Sequence, residues 1–294
     1  MPSKNGGLPV GPRLYLGDTA VLATMHGKEQ VIAPILERAL GLRIQVTMNI
    51  DTDRFGTFSR EVARTGSQLD AARAKIGAAF DLSPHVQVAI ASEGSFGPHP
   101  DIPFVPLDRE LVVFHDRVSG LELIGHHASL LTNLSHAVVS DVAAAFSFAE
   151  RVQFPAHGLI VLGCVDEQPA PDRALIKNIC DPVDLGHAVE QVIGICGAAY
   201  LETDMRAHRN PTRMRVIKRA TLDLVRRFHS RCPNCARPGF VVSERIAGLP
   251  CSWCERPTSA IRAEVSSCVD CGHRVERMVD AQTADPGECA DCNP

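Results

Sequence analysis

The stretch from His85 to Pro100, HVQVAIASEGSFGPHP, joins an apolar strand pattern to a polar segment that contains two glycines. His85–Ala91 has the composition of a buried strand. Ligands of α/β proteins gather at the carboxyl ends of strands, and Glu93 follows this end directly. Glycines allow a backbone to approach a ligand closely. We therefore expect a site at Ser92–Pro100, in which Glu93 holds a metal ion or accepts a proton.

Helix and strand patterns alternate on both sides of this stretch. Apolar spacing predicts helices over Gln30–Leu40, Ser67–Phe80, Ser135–Val152, Asp184–Cys196 and Thr212–His229, with Ser67 and Asp184 as caps. Further strands are expected over Thr19–Thr24, Glu110–His115, Leu121–Gly125, Gly158–Cys164 and Ala198–Thr203. Strands that alternate with helices predict an α/β layer fold.

The composition is that of a globular protein. The chain has 294 residues, of which 45% are hydrophobic and 22% are charged, with a net charge of −4. This charge excludes a general attraction to polyanions. No apolar run reaches the ~18 residues of a membrane span, and the N-terminus lacks the apolar core of a signal peptide. We therefore expect a cytoplasmic protein without a membrane partner; the sequence does not indicate an oligomeric state.

The end of the chain is rich in cysteine. Eight of the 11 cysteines form four Cys-x-x-Cys pairs: Cys232/Cys235, Cys251/Cys254, Cys268/Cys271 and Cys289/Cys292. In a reducing compartment such pairs are typical zinc ligands, and four pairs make two closed tetrahedral sites. Sequential pairing is the simplest arrangement, and interleaved pairing fits the spacing as well. We expect an α/β domain over residues 1–230 and a small double zinc-ribbon domain over 231–294, with two structural zinc ions.

Two more polar segments lie beside apolar elements. Thr24–Lys28 precedes a predicted helix, where backbone N–H groups and one lysine suit an anionic oxygen. Thr203–Arg213 leads into a basic helix, and arginine forks suit phosphate groups. Each segment alone is equally explained as a solvated loop. Their joint position beside strand ends predicts one site that contains Lys28, Glu93, His208 and Arg209.

The segments ATMHGK, AARAKIGAAF, VAIASEGSFG, ELVVFHDRVSGLELI and YLETDMRAHRNPTR, in this order, resemble the inosine/xanthosine triphosphatase-like nucleotide pyrophosphohydrolases. The resemblance covers about residues 15–229 and implies a mixed-sheet nucleotide-binding domain. The CPNC and CSWC segments resemble zinc-ribbon knuckles. The chain as a whole also resembles a bacterial domain-of-unknown-function family marked by GTFxxEV, SEGSFGPHP, RAHRNPTR and the cysteine-rich tail.

The pyrophosphohydrolase resemblance implies roles for individual residues. Catalysis would rest on Glu93, which binds Mg²⁺ or orients the attacking water, and on Lys28, which binds phosphate. Glu61 would be a second carboxylate ligand of the metal ion. The remaining implied contacts with phosphate or base are Lys75, Arg73, His208, Arg209 and Arg213. The reaction would be attack of water on a phosphoryl group.

Two functions are compatible with these patterns. One is a Mg²⁺-dependent pyrophosphohydrolase that acts on a nucleoside triphosphate, a related nucleotide or another phosphorylated small molecule. The other is a non-catalytic nucleotide sensor or zinc-ribbon adaptor that binds nucleic acid or protein. The second is favoured by the basic stretch Met205–Arg231, which contains nine Lys and Arg residues and one acid, Asp223.

Overall fold

Three parallel strands begin a mixed five-stranded sheet. In the computed structural model, which describes residues 15–47 and 66–293, these are β1 (Thr19–Ala23), β2 (Arg43–Val46) and β3 (Val88–Pro98). Antiparallel strands β4 (Pro106–Asp116) and β5 (Leu121–Ser129) complete the order β2-β1-β3-β4-β5. Strand β1 pairs with β3 only as far as Ala23 opposite Ala91, so the later part of β3 extends beyond the end of β1.

Helices cover both faces of this sheet. The helices are α1 (Glu29–Leu40), α2 (Gln68–Leu82) and α5 (Pro211–His229). Helix α2 places Ala72, Ile76 and Ala79 against apolar side chains of β1, β3 and β4. On the other face α5 lies so close to β5 that a Cβ on Gly125 would meet the backbone of Ala220 and Leu224.

A second, antiparallel sheet has the order β6-β9-β7-β8. Its strands are β6 (His136–Val139), β7 (Leu159–Val165), β8 (Gln168–Ile179) and β9 (Ala199–Thr203). Helices α3 (Val142–Arg151) and α4 (Pro182–Cys196) bury Phe148, Leu185 and Val189 against it.

The chain divides into two compact units, one formed by Tyr15–Val225 and the other including the chain from Arg226 onward. The second unit contains an antiparallel sheet of β10 (Val241–Ala247), β11 (Ile261–Ser267) and β12 (Arg274–Met278). The mixed α/β class and the cysteine-rich C-terminal region are therefore as expected.

Three local expectations were wrong. Ser92–Pro98 is not a loop, because it continues β3 and pairs with β4 as far as Pro98 opposite Pro106. The single helix expected over Ser135–Val152 is a short strand and a shorter helix, because His136–Val139 pairs with β9. Helix α4 begins earlier than expected and is capped by Asp181, which accepts from the Val183 amide at 2.7 Å.

No helix within residues 15–47 and 66–293 is long and apolar enough to cross a membrane.

Candidate functional site

Lys28 occupies the position beside β3 that β1 leaves open. A tight turn, in which His26 and Gly27 have φ angles of 66° and 75°, leads from β1 to this lysine. The Lys28 Nζ donates to the Ser92 carbonyl at 3.4 Å, and the residue is 6% exposed. Burial lowers the pKa of Lys28 to about 8; Arg213 and Lys75 act in the same direction, while Glu110 and Glu93 oppose it.

Glu93 points to the α2 face of the sheet. It is 4% exposed and forms an ion pair with Lys75, which is 7% exposed and lies in the middle of α2. Glu93 is opposite Leu111 of β4, whose neighbours on this face pack against α2. Lys75 and Glu93 therefore form a buried pair, and both carry the charges that the resemblance requires.

Glu110 and Arg213 form a second buried pair on the α5 face. The Arg213 Nε donates to Glu110 Oε1 at 2.6 Å, and its Nη1 donates to the Met205 carbonyl at 2.5 Å. The guanidinium carbon lies 5.3 Å from the centroid of the Phe96 ring. Any side chain at Gly94 would collide with Glu110 and Arg213, so a glycine is required at this position.

Asp108 is a site residue that the sequence analysis missed. Its side chain is completely buried, and neither carboxylate oxygen has a hydrogen-bond partner within the described parts of the chain. It lies opposite Phe96, on the same face as Glu110. Asp108, Glu110, Val112 and Phe114 are buried at every second position of β4, on one face of the strand. Two acids in this period-two series were the sequence signal that could have revealed the site.

Asp108 is held in its protonated form. Burial raises the pKa of Asp108 to about 8, Glu110 adds to the rise, and Arg213 and Lys28 oppose it. At neutral pH a carboxylic acid therefore lies beside the ion pair of Glu110 and Arg213. Since Lys28 interacts electrostatically with Glu93, Glu110, Lys75, Arg213 and Asp108, the two ion pairs and the acid form one network, here called the buried charge cluster.

His208 lies next to the turn that carries Lys28. The ring of His208 stacks on that of His26, with centroids 5.0 Å apart and an interplanar angle of 17°. Desolvation lowers the pKa of His208 to about 4, with His26, Arg206 and Arg209 contributing, so the ring is neutral at physiological pH. The Arg209 Nε is buried and has no hydrogen-bond partner among the described residues. His208 is thus adjacent to the lysine turn, whereas Arg209 lies beside Gly158, whose amide donates to the Arg209 carbonyl at 2.8 Å.

One of the expected residues, Arg73, stands apart from the cluster. Arg73 donates from Nη2 to Glu122 at 2.6 Å, and its side chain is 50% exposed. Glu122 belongs to β5, so Arg73 links α2 to this strand at the surface. Glu61 lies outside the described residues, as does the Asp51–Glu61 segment.

Within the described parts of the chain, the expected magnesium ligand Glu93 does not belong to a group of three or more metal-ligating side chains. Among the residues that the structure describes, only cysteine groups bring three or more metal-ligating side chains within 4.8 Å of one another. Glu93 is paired with Lys75, and Asp108 and Glu110 lie on the opposite face of the sheet. The carboxylates that remain available near Lys28 are Asp108 and the unpartnered Oε2 of Glu110.

The cysteine pairs assemble in an interleaved order. Cys232, Cys235, Cys268 and Cys271 form one group, and Cys251, Cys254, Cys289 and Cys292 form the other. The sequential pairing that seemed simplest was therefore wrong. Strand β11 connects the second and third cysteine pairs. Its antiparallel pairing with β10 and β12 brings the first cysteine pair to the third and the second pair to the fourth.

The spacing of the sulfur atoms is compatible with zinc. Sγ–Sγ distances are 3.7 Å for Cys232–Cys271, 3.6 Å for Cys235–Cys268, 3.9 Å for Cys251–Cys292 and 3.6 Å for Cys254–Cys289. A tetrahedron with Zn–S bonds of about 2.3 Å has edges of about 3.8 Å. Disulfides need S–S distances of about 2.05 Å, so these cysteines are free thiols. Two closed four-cysteine sites suit two structural zinc ions.

Comparisons with known proteins give a family and no activity. A family model described as Domain of unknown function (DUF6671) matches residues 75–294. A search of curated proteins finds no match to the chain. The matched range includes Lys75, Glu93, Asp108, Glu110 and Arg213 as well as every cysteine of the two metal groups.

Proposed function

The chain belongs to the DUF6671 family, whose description assigns no chemistry, and from its side chains we propose that residues 15–225 bind and hydrolyse a nucleotide polyphosphate. The observation that carries this proposal is the buried charge cluster along the part of β3 that follows Ala91. Lys28, Lys75 and Arg213 place three buried cations there. Buried cations suit a phosphate chain.

The charges of the cluster favour an anion. Among the described residues, ion pairs join Lys75 to Glu93 and Arg213 to Glu110, whereas Lys28 has no carboxylate partner of its own and donates to the Ser92 carbonyl. An uncompensated buried charge is costly, and a bound phosphate would relieve it. The depressed pKa of Lys28 fits this arrangement, because an incoming anion would stabilise its ammonium form.

The cluster can also provide the proton transfers of hydrolysis. A water molecule would attack phosphorus and give up a proton to a carboxylate as the bond from phosphorus to the leaving oxygen breaks. Glu93 is the expected acceptor, and the protonated Asp108 is a hydrogen-bond donor for a phosphate oxygen. Magnesium commonly binds through one or two carboxylates together with substrate phosphates and water, and Glu93 would supply one such carboxylate. Glu110 lies on the opposite face of the sheet and would not share this ion. When bound, Mg²⁺ would neutralise charge on the phosphates.

Three variants test this proposal. Lys28→Ala should raise the dissociation constant of the nucleotide. Glu93→Gln should reduce pyrophosphate release about 100-fold or more while it leaves binding largely intact, as expected for a lost base or metal ligand. Arg209→Ala should weaken binding. Arg73→Ala is the matched control, because Arg73 pairs with Glu122 outside the cluster.

The measurements are a calorimetric titration and a pyrophosphate-release assay with Mg²⁺ over a panel of nucleoside triphosphates. The hydrolase assignment fails if no nucleotide binds the parent below millimolar concentration, or if Glu93→Gln turns over as fast as the parent.

A non-catalytic nucleotide sensor or adaptor is the second candidate. It is favoured by the lack of three converging carboxylates in the described residues and by the basic helix α5. Nucleotide binding without Mg²⁺-dependent release would support a sensor. Nucleic-acid binding that weakens steeply with salt would support an adaptor.

A further inference from the structure

A surface hollow of about 340 Å³ lies between helix α5 and the chain that follows β5. Its floor and one wall come from α5, where Arg215, Lys218, Arg219 and Leu222 face it. Leu131 closes the other side. The volume is at the lower end of the range for small-molecule sites. This region, the α5 hollow, is separate from Lys28, Glu93 and Asp108, none of which lines it.

The charge of the α5 hollow is entirely positive. Three cations line it, and no acid does. Asp223, the acid that follows one turn later on α5, is turned to β5, where it accepts from the His126 amide at 3.1 Å. Across the described parts of the chain neither Lys218 nor Arg219 forms an ion pair with a carboxylate. The Arg215 Nη2 donates to Thr212 Oγ1 at 3.0 Å, which holds its guanidinium at the rim.

The same hollow exposes apolar surface. Leu131 is 78% exposed and Leu222 is 48% exposed, although both are large aliphatic side chains. Val216, which is buried, is a third apolar side chain that lines the hollow. Such a patch beside three unpaired positive charges complements a molecule that is apolar at one end and anionic at the other.

We propose that the α5 hollow is a binding site for a small amphiphilic organic anion, such as a carboxylate or phosphate ester with an aliphatic body. The anionic group would meet Lys218 and Arg219, and the apolar body would cover Leu131 and Leu222. A nucleic-acid strand fits less well, because no aromatic side chain lines the hollow to stack on a base. The site does not depend on hydrolysis in the buried charge cluster.

The probe is 1-anilinonaphthalene-8-sulfonate, an aromatic sulfonate whose fluorescence rises in apolar sites, added to the zinc-loaded full chain. We expect saturable binding at one site. Decanoate should displace the probe, while the uncharged decanol should do so at least about tenfold less well, because it lacks the charge. Equal displacement by decanol, or no saturable binding, would overturn the proposal.

Charge variants locate the site. The double variant Lys218→Glu/Arg219→Glu should weaken probe and decanoate binding about tenfold or more, because attraction becomes repulsion. The double variant Arg38→Glu/Arg43→Glu, at exposed positions in the last turn of α1 and at the start of β2, is the charge-matched control and should bind like the parent. Thermal unfolding of each variant establishes that it is folded. Unchanged affinity in the folded Lys218→Glu/Arg219→Glu variant would rule out the site.

An apolar variant separates an amphiphile site from a basic surface. Leu222→Gln should weaken decanoate binding, while Leu82→Gln, at a position 57% exposed at the end of α2, should not. A 20-nucleotide oligothymidylate provides the other comparison. If it displaces the probe and its affinity is insensitive to Leu222→Gln, the α5 hollow is a phosphate-backbone surface and our proposal is wrong.

Discussion

A single aspartic acid, Asp108, determines much of the electrostatic character of the candidate site. It is buried beside Glu110, and its carboxyl group lacks the hydrogen bonds that usually accompany buried polar groups. Proteins retain such groups when a ligand or a proton transfer uses them. In this chain the protonated form of Asp108 removes one negative charge from the network around Lys28.

Asp108→Asn should change how stability depends on pH. The pKa of Asp108 rises from 3.8 to about 8 on folding, so between these pH values the native state holds a proton that the unfolded chain releases. The free energy of unfolding of the parent therefore falls as pH rises through this window and this contribution is constant above it. Asparagine does not ionise, so the free energy of unfolding of the variant should rise relative to that of the parent by up to ~4 kcal/mol between pH 5 and pH 8.

Urea unfolding of both proteins at pH 5 and pH 8 measures this difference, and titrating groups outside the buried charge cluster cancel in the comparison. A parent and variant that lose stability in parallel would show that Asp108 is ionised in the folded protein.

The positively charged residues of the site were predictable, but part of its acidic set was not. Lys28 and Glu93 follow apolar strands directly, and the basic run of α5 contains Arg213, so local sequence drew attention to them. Asp108 and Glu110 are within a strand, where a charged residue usually marks the solvent side. Only the pairing of β3 with β4 and the cover provided by α5 make their face an interior one.

Elements were predicted best where their own residues decide the conformation. Ser67 caps α2 as expected, through a capping box in which its hydroxyl accepts from the Asp70 amide. The expectations for Ser92–Pro98 and Ser135–Val139 failed because strand pairing decides both segments. Their partners, β4 and β9, are assigned by the tertiary fold, and single-sequence periodicity does not contain that information.

Gly125→Ala should separate α5 from the sheet. An added Cβ would lie 2.4 Å from the Leu224 amide nitrogen, and backbone in a packed helix has little freedom to move. We expect a loss of about 2 kcal/mol or more in the free energy of unfolding. We also expect weaker nucleotide binding, because α5 carries Arg213.

Gly77→Ala is the matched control. Gly77 lies in the middle of α2, and a Cβ there meets nothing within 4 Å. This change should stabilise the protein by about 0.5–1 kcal/mol, since glycine is a poor helix former. Equal effects of the two changes on denaturant unfolding would contradict the close approach of α5 to β5.

At the scale of the whole molecule, the two units depend on different physics. Tyr15–Val225 has extensive apolar cores, whereas the cysteine unit buries few large side chains and relies on its metal groups. Zinc coordination contributes about 10–16 kcal/mol in comparable small domains. Chelation should therefore abolish the structure of the C-terminal unit and leave residues 15–225 folded, as circular dichroism and limited proteolysis would measure.

Double cysteine variants distinguish the two ligand orders. The parent should carry close to two zinc ions per chain. Cys232→Ser/Cys268→Ser disrupts one interleaved site and should retain one zinc ion, whereas Cys232→Ser/Cys251→Ser disrupts both and should retain none. Sequential pairing requires the opposite result for the two variants. Elemental analysis of protein purified under reducing conditions gives the answer.

The interleaved order also links the two zinc sites through the entropy of the chain. The loop that the first group closes, from Cys232 to Cys271, contains Cys251 and Cys254, and the loop of the second group contains Cys268 and Cys271. Closing either loop therefore restricts part of the other, and less conformational entropy remains to be lost when the second ion binds. Loading should consequently be cooperative, so that a chelator titration removes both ions in one transition and a half-loaded chain is scarcely populated.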